Sequence, residues 1–436
     1  MKNLALVLGA MVGLVYQVGC REGEVARPTQ GMVVKPGLEV FLEENLHLVQ
    51  GKRVGLITNP SGVDRKLLST AELLAQNGNI RLVALYGPEH GVRGNAQAGE
   101  YVPFYFDEKF KVPVFSLYGQ SFKLDPAMLR NIDSYMRSFD TSDAGKLLEA
   151  PMVEDVDVLV FDIQDVGTRV YTYMATMAYA MAAAAKVGID FIVLDRPNPV
   201  NGLDMEGPIL EYPAFSSFVG VYPIPLRHGM TAGELAQLFN GNFIEPKAKL
   251  TVVPMKGWKR SLWFDETGLP WVMPSPNMPT LETAVVYPGQ VLLEGTNVSE
   301  GRGTTRPFEL FGAPWIDGYE LVQRLRNLRL PGVTFREAWF TPTFSKYAGE
   351  RCGGAQVHVL DRRLFRPLAT SLHVLCTIRN MYPEKFIFYP DYFDRIMGNS
   401  WVREALERRM PVEEILRKFG EGLELFAKMR QPFLLY

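Results

Sequence analysis

Glu89 stands in the string Gly87-Pro88-Glu89-His90-Gly91-Val92-Arg93-Gly94, directly after an apolar run, and carboxylates recur in the same relation to later apolar runs at Asp162, Asp165 and Asp195. Carboxylates gathered at one rim suit general acid–base work: one group gives a proton to a leaving oxygen while a second activates water or steadies positive charge. His90 either orients Glu89 or carries protons itself. Arg93, Arg169, Tyr171, Tyr173 and Asn198 add cations, hydroxyls and an amide to the same rim. A second cluster lies later in the chain, with Asn277 in the Pro-rich string 274–280 and Glu294, Asn297, Glu300, Arg302 and Arg306 in the Gly-rich string 294–309. Glycine beside Glu, Asn, Thr and Arg lets backbone approach a polyhydroxylated ligand closely, and two arginines four apart suit a carboxylate on that ligand.

Each of these residues also has a plainer reading. A strand-end Asp is often a helix cap or turn residue, which applies to Asp162 and Asp195. Arg169 could be an internal ion-pair partner of Asp162 or Asp165. Asn297-Val298-Ser299 matches a glycosylation sequon by coincidence, and Cys352 and Cys376 read as buried small apolar residues. Sharper chemistries fail on their motifs: Thr58-Asn59-Pro60-Ser61-Gly62 lacks the dinucleotide glycine pattern, and neither a phosphate loop nor a Gly-x-Ser-x-Gly nucleophile elbow occurs.

The elements that must carry these groups alternate. Strands are predicted over 53–58, 82–86, 112–117, 156–163 and 191–195, and helices over 66–76, 126–135, 171–187 and 232–239. Apolar strands without a polar face, alternating with amphipathic or Ala-rich helices, predict a parallel, doubly wound, Rossmann-like α/β domain. In such a sheet ligands meet the loops beyond the carboxyl ends of the strands, where the candidate residues fall. From about residue 241 Pro/Gly-rich loops take over, followed by a predicted strand at 356–360 and helices at 367–381, 401–408 and 411–429. The reading is a catalytic domain over 38–250 and a smaller α+β C-terminal domain over 251–436 that completes the cleft.

Composition narrows the partner. Of 436 residues, 48 are acidic and 46 basic, without a basic block, so nucleic acid is not an expected ligand. Three cysteines and five scattered histidines form no zinc-site spacing, and neither metal nor cofactor is expected. The apolar stretch 4–16 would span about 20 Å as a helix, short of the roughly 30 Å hydrocarbon core, and follows a basic start, as in a secretory signal. It ends at Gly19-Cys20, which resembles a lipoprotein lipobox, although Gln17 departs from the usual Leu. Residues 1–20 are therefore expected to be a signal peptide, with lipid attachment at Cys20, ahead of a tether over 21–37; plain signal cleavage and a buried N-terminal helix are the other readings. Export would place the protein in the periplasm or cell envelope, anchored to a membrane.

Six strings taken together are more specific than any motif alone: Gly-Pro-Glu-His-Gly, Phe-Asp-Ile-Gln-Asp-Val-Gly-Thr-Arg, Leu-Asp-Arg-Pro-Asn-Pro, Arg227-His228-Gly229-Met230-Thr231, Pro-Ser-Pro-Asn-Met-Pro-Thr and Glu-Gly-Thr-Asn-Val-Ser-Glu-Gly-Arg-Gly-Thr-Thr. In this order, over residues 38–436, they resemble the NamZ-type exo-β-N-acetylmuramidases, once catalogued only as a domain of unknown function. The resemblance implies a Rossmann-like domain and a smaller C-terminal domain with the active site between them. It also implies release of N-acetylmuramic acid from the non-reducing end of peptidoglycan fragments, with Glu89 at the position of the family's proposed catalytic glutamate. The second catalytic group stays open among Glu300, Glu294, Asp165, the Tyr171 hydroxyl and the sugar's own N-acetyl group, and so does retention against inversion. The lactyl carboxylate of the sugar calls for an arginine, with Arg302 expected first and Arg169 second. Two other classes fit the residues: a carbohydrate-binding lipoprotein without turnover, and a hydrolase of an ester or amide bond. Oligomeric state is not legible.

Overall fold

The run Val-Leu-Val-Phe-Asp has no polar residue to turn towards water before its last position, and the chain answers by covering both of its faces. The structure, a computed structural model, describes residues 33–118, 129–130 and 155–436. Its first part runs α1 (Gly37–Glu44), β1 (Arg53–Thr58), α2 (Thr70–Gln76), β2 (Arg81–Gly87), β3 (Tyr105–Asp107), β4 (Val112–Ser116), β5 (Val158–Asp162), α3 (Tyr173–Val187), β6 (Asp190–Leu194), β7 (Glu206–Ile209), β8 (Pro225–Arg227), α4 (Ala232–Asn242) and β9 (Lys249–Val253). Seven strands form one sheet in the order β3-β4-β2-β1-β5-β6-β9, parallel throughout except for β3 against β4. Alternate residues of β5 supply opposite cores: Leu159 and Phe161 pack with Met177 and Ala178 of α3, while Val158 and Val160 pack with Phe41 of α1 and Leu74 of α2. This is the doubly wound arrangement anticipated from the apolar runs. The alanines of α3 let it lie close on the sheet.

The second part follows as α5 (Leu281–Gln290), β10 (Leu310–Ala313), α6 (Gly318–Asn327), β11 (Val333–Phe340), β12 (Cys352–Val359), α7 (Pro367–Met381), α8 (Pro390–Met397), α9 (Trp401–Glu407), α10 (Val412–Lys418) and α11 (Gly420–Arg430). Its three strands form an antiparallel sheet, β10-β12-β11, with helices around it. Tyr171 and Tyr173 from the first part and Tyr287, Phe308 and Phe393 from the second belong to one continuous core, so the two parts meet through aromatic packing.

Several boundaries differ from the periodicity reading for local reasons. The helix expected from residue 66 starts at Thr70, because the Asp64 carboxylate accepts the Lys66 and Leu68 N–H groups, both at 2.8 Å, and holds a turn there; Ser69 then caps the helix on the Glu72 N–H. The single helix expected over 411–429 breaks at Phe419, before Gly420 and Gly422, which weaken a helix interior. The helix expected over 126–135 lies almost wholly outside the described residues, as do Cys20 and the tether up to residue 32. Val34 and Lys35 already pair with the backbone of Thr267 and Lys256. The last strand of the large sheet, β9, crosses residue 250.

At the amino end of the sheet Arg53 grips Asp157 with Nε at 2.8 Å, Nη2 at 2.7 Å and its own N–H at 3.0 Å. These bonds hold the Asp157 carboxyl down at about 2, against an ordinary 3.8. A carboxylate whose pKa is depressed on folding stabilises the fold above its unfolded value and loses that contribution as pH falls to its folded one. Between about pH 4 and pH 2 the wild type should therefore lose stability more steeply than Asp157→Asn, as followed by chemical denaturation at each pH; parallel curves would show that the pair contributes nothing on acidification.

Candidate active site

Beyond β2 the chain turns sharply through Pro88-Glu89-His90-Gly91, with the Gly91 N–H on the Pro88 carbonyl at 2.9 Å and His90 in the left-handed region at φ 72°. The turn buries Glu89 and presents its carboxylate to hydrogen-bond donors. Thr172 Oγ1, at the start of α3, donates to Oε2 at 2.8 Å, and the Gly99 N–H donates to Oε1 at 3.2 Å. Tyr118 lies beside it, and burial together with the Glu89 charge pushes its phenol up to about 12, so it stays a neutral group. Nδ1 of His90 donates to the Ala96 carbonyl at 2.7 Å. Burial holds the His90 pKa below its ordinary value, against the pull of Glu89. A neutral imidazole bonded to loop 96–99 orients the glutamate through Gly99; of the two readings of His90, the geometry favours the orienting one.

The opposite wall comes from the second part. Gly295 meets α8 so closely that a Cβ there would stand 2.6 Å from the Cα of Phe393. This approach brings α8 against the turn that carries Glu294. Arg302 donates to Glu294 Oε1 through Nε at 3.0 Å and lies 3.4 Å from Glu300 Oε1, while its guanidinium sits 5.1 Å over the Phe308 ring. The Tyr392 hydroxyl donates to Glu294 Oε2 at 3.0 Å, and Lys346 Nζ donates to Glu300 Oε2 at 3.0 Å and to the carbonyls of Leu293 and Val298. Burial would lower the Arg302 pKa, but Glu294 and Glu300 raise it beyond its ordinary value. Tyr171 forms part of the floor, its hydroxyl on Ser275 Oγ at 2.9 Å and its ring edge-on to Tyr173 and Tyr287.

Between the walls lies a cavity of about 490 Å³, within the range of small-molecule sites, lined by Glu89, His90, Tyr171, Tyr173, Asn277, Glu294 and Arg302 among others. An adjoining hollow of about 390 Å³ shares Asn277, Glu294 and Arg302 with it and adds Glu300 and Lys346. Eight of the residues singled out in the sequence thus come together. Thr172, Tyr118, Ser275, Tyr392, Lys346 and Arg395 also line these spaces or hold their walls; Ser275 lies in the Pro-rich string 274–280 and Thr172 starts a helix after a predicted strand, whereas no motif marked the other four.

The remaining candidates do not reach the cavity. Asp162 is fully buried and accepts Arg196 Nε at 2.5 Å and Nη2 at 2.8 Å, and Thr70 Oγ1 as well. Asp165 accepts the Gly167 N–H at 2.8 Å and lies 3.4 Å from His228 Nε2. Asn198 closes its own loop on Val200 and Met230. Arg169 pairs with neither Asp162 nor Asp165: Nη1 donates to the carbonyls of Pro208 and Ile224, at 3.0 and 2.8 Å, and Nη2 to that of Ile396 at 2.7 Å. Burial brings its pKa down to about 9. Arg93 is held by Asp107, and Asn297 staples the segment at Lys385 and Ile387. Arg306 pairs with Glu309 beside a separate groove of about 1120 Å³ that shares no wall residue with the Glu89 cavity. The Tyr171 phenol, raised above its ordinary range by burial, is a hydrogen-bond donor and a poor nucleophile. Among the described residues no group of three or more His, Cys, Asp or Glu is placed to hold a metal ion, and Cys352 and Cys376 are free thiols.

A Rossmann-like sheet that ends in a buried glutamate, faced across a tyrosine-rich cleft by an α+β part bearing two more, defines the class: a two-part α/β protein with a cleft for a small polar ligand. Residues 54–148 and 144–282 match the family model for the N-terminal part of the exo-β-N-acetylmuramidase NamZ, and residues 285–436 match that for its C-terminal part. The chain belongs to the NamZ family. It is 53% identical over 404 residues to the peptidoglycan β-N-acetylmuramidase NamZ of Bacillus subtilis (strain 168), a match that spans 92% of this chain and 91% of the relative. Two crystal structures of DUF1343 family proteins from Bacteroides fragilis NCTC 9343 share the fold. One is 38% identical with a TM-score of 0.81 and the other 30% identical with a TM-score of 0.68; each match covers 92% of this chain and 99% of the other.

Proposed function

We propose that the protein is an exo-acting glycosidase that removes N-acetylmuramic acid from the non-reducing end of peptidoglycan fragments during cell-wall turnover. The observation that carries this reading is the 53% identity, across nearly the whole of both chains, to a peptidoglycan β-N-acetylmuramidase. In the mechanism we favour, Glu89 gives its proton to the glycosidic oxygen. Thr172 and Gly99 hold the carboxylate in place, and His90 fixes the loop that supplies Gly99. Glu294 is the second carboxylate: it faces the same cavity, and its two oxygens are fixed by Arg302 and Tyr392, as suits a group that steadies positive charge at the anomeric carbon or directs water to it. The disaccharide N-acetylmuramyl-N-acetylglucosamine should yield the two free sugars, with a new reducing end and neither free acetate nor peptide from longer fragments. Absence of sugar release would leave a binding protein, and release of acetate or peptide alone would leave a hydrolase of another bond.

The envelope location is part of the same proposal and rests on residues 2–20, outside the described chain. Made in a bacterium with its own leader, the protein should fractionate with membranes, and Cys20→Ser should release it or stop its maturation. A soluble wild-type product cleaved elsewhere would overturn the lipid anchor.

A further inference from the structure

Three glutamates face the two joined hollows, and an anionic sugar entering them would be repelled unless a cation with spare hydrogen-bonding capacity meets it. Among the described residues the cationic side chains that line these hollows are Arg302, Lys346 and Arg395, with His90 held neutral. Arg302 is already shared between Glu294 and Glu300, and Lys346 is spent on Glu300 and on backbone carbonyls. Arg395 is different. Its Nε donates to the backbone carbonyl of Asp391 at 3.2 Å, and neither Nη atom bonds to any described residue. The acidic residue next to it, Asp394, is already gripped by Arg403 with bonds of 2.8 and 2.9 Å. An arginine has five N–H donors in a planar fork that matches a carboxylate, and here four remain for a ligand.

The position of Arg395 fits that use. It lies three residues after Tyr392 on α8, so both side chains share one helix face, and Tyr392 on that face already touches Glu294. The close contact at Gly295 fixes this helix against the wall of the cavity. Resting on the muramidase reading above, we infer that Arg395 receives the lactyl carboxylate of the terminal sugar and so determines the preference for N-acetylmuramic acid over sugars without that charge. The role expected from sequence for Arg302, and after it Arg169, passes to a residue on another element. Arg302 keeps the task of bridging Glu294 and Glu300 and holding both in place.

The test uses one aryl β-N-acetylmuraminide in two forms, with the lactyl group as the free acid and as its methyl ester. For the wild type kcat/KM should favour the acid by roughly 10 to 100-fold, the range of a charge-assisted pair. In Arg395→Ala that ratio should fall towards one, and Arg395→Lys should restore part of it. Loss of overall stability moves both substrates together and leaves the ratio untouched, so the ratio reads recognition and not folding. A ratio unchanged in Arg395→Ala, or one that collapses in Arg302→Ala instead, overturns the assignment while the muramidase reading stands. A wild type that cleaves neither form overturns both.

Discussion

Glu89→Gln should lower kcat by about 100 to 10,000-fold, the usual contribution of a positioned acid or base, while the folded protein remains intact. The geometry explains why the two effects separate. The Glu89 carboxylate accepts a fixed backbone donor from Gly99 and a rotatable hydroxyl from Thr172. A glutamine can keep its carbonyl on the Gly99 N–H and turn its amide towards Thr172, whose hydroxyl accepts as readily as it donates. Only the transferable proton is lost. Release of N-acetylmuramic acid at fixed substrate concentration, beside the urea midpoint, checks both halves. Near wild-type turnover would remove Glu89 from the chemistry; an equally large loss of stability would make the kinetic effect uninformative about proton transfer and assign Glu89 to the fold.

Asp162→Ala should do the converse, with a loss of about 3–5 kcal/mol of stability, because it leaves the Arg196 guanidinium buried without its counter-ion. The fraction that stays folded should still release the sugar, since Asp162 is walled off from the cavity. Denaturant unfolding of the variant, with activity normalised to folded protein, distinguishes the roles. Stability within about 1 kcal/mol of wild type together with abolished turnover would return Asp162 to the list of reacting groups.

Asp162 also shows what a sequence can and cannot reveal. An Asp at the end of a buried strand serves equally as a ligand group, a cap or half of an ion pair, and the choice depends on what the next loop brings; here Arg196, from the end of the neighbouring strand, decides it. The strands themselves were legible because long apolar runs without a polar face have few alternatives to a covered sheet, and β1 keeps the predicted limits to the residue. Strands β3 and β7 to β11 were missed: β3, β7, β8 and β10 are three or four residues long, β9 is partly exposed along most of its length, and β11 mixes Arg, Glu and Trp in a partly solvated position. Within the site, the turn at Glu89 and the Gly-rich loop with Glu294, Glu300 and Arg302 stood out because proline, glycine and clustered charge punctuate the sequence. Tyr392 and Arg395 did not, since an amphipathic helix shows the same residues whether its polar face meets water or a ligand. That Arg302 would be held by Glu294 and Glu300 was not legible either, because the spacing of charges along a loop does not say which of them neutralise each other.

Arg169 bears on how the cleft meets its substrate. Its guanidinium binds carbonyls of the first part at Pro208 and Ile224 and, at the same time, the carbonyl of Ile396 in the last turn of α8, where the helix dipole favours a cation. The helix that presents Tyr392 and Arg395 is thereby fastened to the segment that leads from β5 to Thr172. Among the described residues, the two walls of the cleft are thus tied to each other through one buried side chain. The entropy of bringing these described walls together is lost once, when the chain folds, and need not be lost again at each encounter, so this part of recognition is a matter of preorganisation.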